Sequence, residues 1–483
     1  IGRKLIIFPI LLIYLYSFYI QSKHKNLFIN LSKFVKYSGL FMLSIGLSSL
    51  FGIIVYPYFN EITNGPANQI DKLPMVVNYL KSLGFSIDEG VLTLAWFLFR
   101  AVKTAVLDYC FTFGLAYIIY CWYRNDSRVA FRIFEKGTIS ISLLIIAVSY
   151  IEIFYFWGNH WAKSVLIYVN PIFHDIKSNG MWWPPLLWTS QQIRSLFAEP
   201  SYFGMYSVML IPVLVNKIFT LKDKWNLLGG YFLLANVLFF LFLTKARTAV
   251  VLLLAVLIIQ LFLIIVYKIK EKCIWKKIVS ILAILVVSFL ASNYSMTFYT
   301  TDQTKINNSV STQTMDIDKY VDENLKSVVN TTQRSNGARF SIIKADLSIA
   351  KDYPILGVGY GLRTRYIFDY LPKDAFNNGE VKMWNELLHN QGIMKFSYPS
   401  LSEYAFKLSQ TGILGLIVFF IPVGLVLKKL VVKIKKYKQF DTITMLTMFL
   451  GFLITGLGDA LIVLAAYWII LALSFVHVED KVD

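Results

Sequence analysis

Apolar runs long enough to cross a bilayer recur from one end of this 483-residue chain to the other. A membrane-spanning helix needs about 20 consecutive apolar residues. Such runs fall near 5–20, 37–57, 100–122, 138–158, 197–216, 226–243, 248–267, 278–293, 411–427, 442–457 and 460–476. With 56% hydrophobic and only 16% charged residues, the chain has too little polar surface for a soluble protein of its length. The reading is an all-α polytopic membrane protein of about 11–12 transmembrane helices, with one large, partly helical extracytoplasmic loop before the last three spans. It divides into 1–293 (helices with short loops), the loop 294–409, and the C-terminal helices of 410–483.

The basic connections set the orientation. Lys23, Lys25, Lys33 and Lys36 crowd the first connection, and Arg124, Arg128, Arg132 and Lys136 another. Lys217, Lys222 and Lys224, then the 268–277 stretch, then 428–438, complete the set. These are alternate connections, so the positive-inside rule makes all of them cytoplasmic. The net charge of +18 is then a topological signal and an attraction to anionic lipid, not a sign of nucleic-acid binding. The segments 58–90, 159–195, 244–247 and 294–409 fall outside the cytoplasm by the same count, and so does the N-terminus. One span preceding Ile1 would return both ends to the cytoplasm and give twelve. No small-residue cleavage site follows 5–20, so no cleavable signal peptide is expected.

Cys110 and Cys121 lie in one membrane helix and Cys273 is cytoplasmic, so no disulfide is expected and no metal spacing exists. Within the large loop, 309–329 is polar and acid-rich, and its Asp316, Asp318, Asp322 and Glu323 lack the spacing of a calcium loop. The 338–350 stretch, with Phe340, Ile343, Leu347 and Ile349, predicts an amphipathic helix lying on the membrane domain. Helical pattern resumes at 400–410 and leads into the span at 411. The 91–123 stretch is too long for one untilted span, and its first part, with Trp96 and Phe97, reads as an interfacial helix.

Four patterns carry candidate chemistry. Arg194 to Gly204 includes Glu199-Pro200-Ser201-Tyr202 at the outer end of a span, where Glu199 either caps the helix or acts on substrate. Lys245-Ala246-Arg247 is a tight turn between two apolar spans; its guanidinium is either a snorkelling anchor or a fork for phosphate oxygens. Arg334 and Arg339 precede Pro354-Ile355-Leu356-Gly357-Val358-Gly359-Tyr360-Gly361, whose glycines would allow backbone to approach a phosphate or sugar, although no strand–helix unit surrounds them. His389-Asn390 supplies a general base near neutral pH or a merely exposed histidine. A fifth residue differs in kind: Glu152 lies within a span, where a carboxylate costs on the order of 3 kcal/mol. It should therefore face the bundle and pair with Arg100, Lys103 or Arg247.

Taken in order, Phe197-Ala198-Glu199-Pro200-Ser201, Lys245-Ala246-Arg247-Thr248-Ala249, Arg339 with Pro354 to Gly359, and Gln410-Thr411-Gly412-Ile413-Leu414-Gly415 resemble the bacterial O-antigen and capsular polysaccharide polymerases (Wzy-like) and the related O-antigen ligases. The resemblance covers most of the chain and implies a multi-pass protein of the bacterial cytoplasmic (inner) membrane. Its implied substrates are undecaprenyl-diphosphate-linked repeat units, joined on the extracytoplasmic face into O-antigen, capsular or exopolysaccharide. A chain-length regulator and a flippase are the implied pathway partners. The resemblance assigns diphosphate binding to Arg247 and Arg339, the positions that match the family's loop arginines. His389-Asn390 lies further upstream than the ligase branch places its histidine, and 400–403 occupies the nearer position.

The residues fit this chemistry independently. A sugar diphosphate carries its own activated leaving group, so neither nucleotide nor metal is required. Arginines would screen charge on the departing diphosphate, with Arg194 joining Arg247 and Arg339. Glu199 or His389 would take the acceptor proton. Tyr202, Tyr360 and Arg363 are candidate sugar contacts, and the tyrosines serve equally as interface residues. Three alternatives stay open: a ligase passing polymer to a lipid or wall acceptor, a lipid-linked oligosaccharide flippase, and a structural partner of a synthase.

Overall fold

The computed structural model describes residues 2–24, 33–65, 70, 73–85, 88–173, 192–269, 273–304, 334–461 and 464–479. The acid-rich 309–329 segment, with Asp316, Asp318, Asp322 and Glu323, lies outside them. Among the described residues all regular structure is helical: α1 (Gly2–His24), α2 (Lys33–Val55), α3 (Phe59–Thr63), α4 (Leu73–Ser82), α5 (Glu89–Tyr123), α6 (Ser127–Phe156), α7 (His160–Phe173), α8 (Pro200–Thr220), α9 (Lys224–Leu243), α10 (Arg247–Val266), α11 (Ile274–Thr304), α12 (Arg334–Asp352), α13 (Arg363–Tyr370), α14 (Gly379–Gln391), α15 (Glu403–Tyr437), α16 (Phe440–Thr455) and α17 (Ala465–Glu479). Eight of these are long and apolar enough to cross a membrane: α2, α5, α6, α8, α9, α10, α11 and α15, while α16 and α17 are apolar but shorter. The protein is an all-α polytopic membrane protein, as its apolar runs predict.

Short polar side chains fix the helix starts. Asp88, Asp126 and Asp223 accept the Val91, Val129 and Asn226 amides at 3.2, 2.8 and 3.0 Å, which satisfies first-turn donors that have no intrahelical partner. The 91–123 stretch is continuous with the residues just before it. It lies in one 35-residue helix, α5, whose first part buries Phe97 against protein. A π-turn at Cys110–Gly114 interrupts it, and the Cys110 carbonyl there accepts the Tyr14 hydroxyl at 2.7 Å.

Two apolar cores result. The larger is the membrane bundle centred on α8, α10 and α16. The smaller joins α12–α14 to α3 and the start of α5 through Tyr56, Ile62, Phe97, Ile342, Tyr366 and Leu388. The predicted amphipathic helix exists as α12, but its buried face is rotated: Ala338, Ile342, Ala345 and Ile349 are buried, while Leu347 is 48% exposed.

Close contacts give the helix directions. A Cβ on Gly204 would lie 2.4 Å from Ala249 Cα, and Gln260 Nε2 donates to the Pro212 carbonyl at 3.0 Å, so α8 and α10 run parallel. Gly451 packs against Val208 and Val256, and Gln260 reaches Thr444 Oγ1 at 3.3 Å, so α16 runs antiparallel to both. The starts of α8 and α10 and the end of α16 therefore share one end of the bundle. Basic groups gather at the other, where Lys217 pairs with Glu135 at 2.8 Å and Lys277 donates to the Phe219 carbonyl at 2.9 Å.

The glycine run serves a purpose the sequence did not suggest. Helix α15 breaks at Gly412, whose φ of 61° suits glycine alone, and the break strips nearby backbone of helical partners. Val358 and Gly359 amides donate to the Ser409 and Gln410 carbonyls at 2.9 and 3.0 Å, and the Ile413 amide donates to Pro354 at 2.8 Å. A Cβ on Gly357 would lie 2.4 Å from the Gln410 carbonyl carbon. Gly357 lets two backbones meet, a close approach of the kind the run was read as allowing toward a phosphate or sugar.

Candidate functional site

The shared end of the bundle forms a mouth. Glu199 stands immediately before α8 with extended backbone, and Pro200 opens the helix at a position where its missing N–H costs nothing. Glu199 holds the N-cap position, yet its side chain makes no capping bond. Its carboxylate accepts Ser201 Oγ at 3.3 Å instead. Burial pushes its proton affinity up, opposed by the Ser201 bond and by the Arg339 charge.

Arg247 is the first residue of α10, held by a turn in which Lys245 adopts a φ of 50°. Its Nη1 is buried and makes no hydrogen bond among the described residues. Two parallel helices thus present their N-terminal, electropositive ends at the mouth beside a guanidinium nitrogen that the described residues leave without a hydrogen bond. Arg339 arrives from the first turns of α12, and its Nη1 donates to the Gly458 carbonyl at 2.8 Å, just beyond α16.

Next to Gly458, Asp459 is a member of this mouth that sequence reasoning missed. Burial pushes its carboxyl up to about 6; the Ala460 amide and Arg339 oppose the rise, and the Glu199 and Glu403 charges add to it. Glu403 begins α15, with its amide bonded to the Gly456 and Asp459 carbonyls and its carboxylate 2.8 Å from Lys407. The available signal was an acid at the junction of two apolar runs, a placement that lipid penalises.

The other candidates separate. Arg194 is buried beside Glu152, whose Oε2 accepts the Ser195 amide at 2.8 Å and the Arg194 amide at 3.3 Å. The partner of Glu152 is therefore the 194–195 loop, not Arg100, Lys103 or Arg247; Arg100 instead donates to the Met394 carbonyl. Tyr202, in the first turn of α8, is 37% exposed at the mouth. Tyr360 is buried, with its hydroxyl on Asp108 Oδ2 at 2.5 Å. Arg363 is buried in a two-pronged pair with Asp346, at 2.5 and 2.7 Å, and stacks over Phe406. Neither Tyr360 nor Arg363 is presented to the mouth. His389 is exposed in the last turn of α14.

The mouth therefore combines anion-binding groups with carboxylates of raised proton affinity. That is the equipment for holding an anionic leaving group while removing a proton from an acceptor. No curated protein matches the chain. Residues 231–420, from within α9 to within α15, match the family model described as O-antigen ligase (Wzy_C), which supports the O-antigen polymerase/ligase superfamily.

Proposed function

We propose that this protein is a polysaccharide polymerase that uses polyisoprenyl-diphosphate-linked oligosaccharide repeat units, working on the extracytoplasmic face of the bacterial inner membrane. The observation that carries the reading is the convergence of Arg247, whose buried Nη1 has no hydrogen-bond partner among the described residues, with Arg339 and Glu199 at one end of the bundle. In the reaction, an acceptor hydroxyl oxygen on the incoming unit bonds to the anomeric carbon of the growing chain. The bond from that carbon to the diphosphate oxygen breaks, the lipid diphosphate leaves with the electron pair, and the proton passes to Glu199. Arg247, Arg339 and the helix ends screen the charge gathering on the diphosphate. Tyr202 is placed to pack on a sugar face.

The basic groups at the far end of the bundle support an extracytoplasmic mouth under the positive-inside rule. The family description favours a second reading, a ligase that passes finished polymer to a lipid or wall acceptor. One experiment separates them: purified protein is incubated with its lipid-diphosphate-linked unit, without nucleotide, and products are resolved by size. A ladder of multiples identifies the polymerase, and transfer only to an added acceptor identifies the ligase. Lipid crossing proteoliposomes without transfer overturns both.

A further inference from the structure

Glu152 is a buried carboxylate in a membrane-spanning helix that the reaction above does not use. Its Oε2 accepts two successive backbone amides, Ser195 at 2.8 Å and Arg194 at 3.3 Å. Two adjacent N–H groups converging on one oxygen form a backbone nest, a geometry that binds anions. The nest requires an unusual backbone: Ser195 has a φ of 52°, a conformation that costs a non-glycine residue energy unless its surroundings hold it. They do so here, because Ser195 Oγ also donates to the Ile145 carbonyl at 2.9 Å, so both grips come from α6. Just before the nest, the Ile193 amide donates to the Leu243 carbonyl at 3.2 Å.

From this peg the chain runs only four residues to Glu199. Midway, the Phe197 amide closes a turn onto the Arg194 carbonyl at 3.0 Å, and its ring stacks on Phe203 of α8 at 5.3 Å. Helix α8 fixes the carbonyl side of Glu199, and the pegged loop fixes its amide side. Together they set the backbone angle from which the carboxylate projects.

We infer that Glu152 is a positioning residue for the reaction: an intramembrane carboxylate that binds the Arg194-Ser195 nest and thereby aims Glu199 at the acceptor. This rests on Glu199 being the base. Misplacing a reacting group by about 1 Å costs about 100-fold in rate. Glu152→Ala should therefore lower kcat about 100-fold, and Glu152→Gln, which keeps one acceptor oxygen but loses the charge, by less. KM for the lipid-linked unit should hold in both, because Arg247 and Arg339 stand on other elements.

The test is a double-mutant cycle in proteoliposomes, comparing Glu152→Gln, Glu199→Gln and the pair. If Glu152 acts through Glu199, its substitution costs little further rate in the Glu199→Gln background. An equal fold-loss in both backgrounds, or an unchanged kcat in Glu152→Gln, overturns the inference. Should Glu152→Gln not accumulate in the membrane, Glu152→Asp, which keeps the charge on a shorter stem, is run through the same cycle with the same criteria. Full activity of Glu199→Gln alone is a different result: it removes the base assignment and leaves the nest a structural anchor.

Discussion

Arg363 gives the sharpest separation between a residue that touches sugar and one that holds the fold. Its guanidinium meets Asp346 at 2.5 and 2.7 Å, with the two side chains 3% and 1% exposed, and Ser409 Oγ donates to the same carboxylate at 2.5 Å. Removing one partner of such a pair strands the other charge away from water, at a cost of about 3–5 kcal/mol. Set against the roughly 5–15 kcal/mol by which folded domains are stable, that is a large fraction. Arg363→Ala should lower the thermal midpoint of the detergent-purified protein steeply and reduce its yield. Removing both charges, with Arg363→Met and Asp346→Asn together, should recover part of the loss, because neither charge is then left buried without its partner, while the amide oxygen introduced at 346 can still accept from Ser409. Midpoints by intrinsic fluorescence and polymer ladders, measured on one preparation, provide the assay, and activity should return with the midpoint. A stable Arg363→Ala protein that makes no polymer would refute the reasoning, as would a double variant that regains its midpoint and stays inactive.

The mouth gives further expectations. Arg247→Ala and Arg339→Ala should leave the protein in the membrane and cut polymer formation about 10²–10³-fold, the scale for losing one oxyanion-stabilising donor; normal ladders from both would remove the diphosphate clamp. Gly412→Ala should abolish accumulation of folded protein, since the new Cβ would lie 2.2 Å from the Ile355 carbonyl oxygen at a φ of 61°. Gly424→Ala in the same helix meets nothing within 4 Å and should be tolerated, which membrane yield will report. Asp459 holds its proton more tightly folded, at about 6, than its ordinary 3.8, so between those values the native state binds more protons than the unfolded one. Its contribution to stability is then present at low pH and lost as pH rises through that window; Asp459→Asn should flatten the slope in a midpoint-versus-pH series.

The membrane helices were legible because hydrocarbon demands long apolar runs, and that demand acts locally on the sequence. Partnerships were not legible, because they depend on which helix ends meet. Glu152 was correctly expected to face the bundle, but it is held by the Arg194 and Ser195 amides with the Arg194 charge beside it, and no spacing in the sequence links 152 to that loop. Arg363 looked like a ligand-binding arginine because a loop arginine in sequence carries no sign of the aspartate 17 positions earlier that will bury it. The glycines of 357–361 were read as letting backbone approach a phosphate or sugar; at Gly357 the close neighbour is the α15 backbone, and only the position of its kink could have shown that. Asp459 was not legible because a single acid between two apolar runs reads as an ordinary connection until the helix ends around it are known.

That kink also explains why the mouth sits where the two cores meet. A helix broken inside packed protein leaves buried carbonyls and amides without helical partners, so other segments must supply them. Here the partners come from 354–359, the segment joining α12 to α13, and Ser48 of α2 adds a hydroxyl to the Gln410 carbonyl at 2.6 Å. Satisfying the break thus ties the smaller core to the bundle through backbone bonds, which are indifferent to side-chain identity. A second tie follows on the same helix, where the Glu403 amide bonds the Gly456 and Asp459 carbonyls. With α15 fixed to both cores, α12 has little freedom relative to α16, and Arg339 is carried to the Gly458 carbonyl beside Asp459. The interruption of α15 is therefore part of what brings a charge from the smaller core to the ends of the membrane helices. Straightening that helix would separate Arg339 from Glu199 even if every side chain at the mouth were kept.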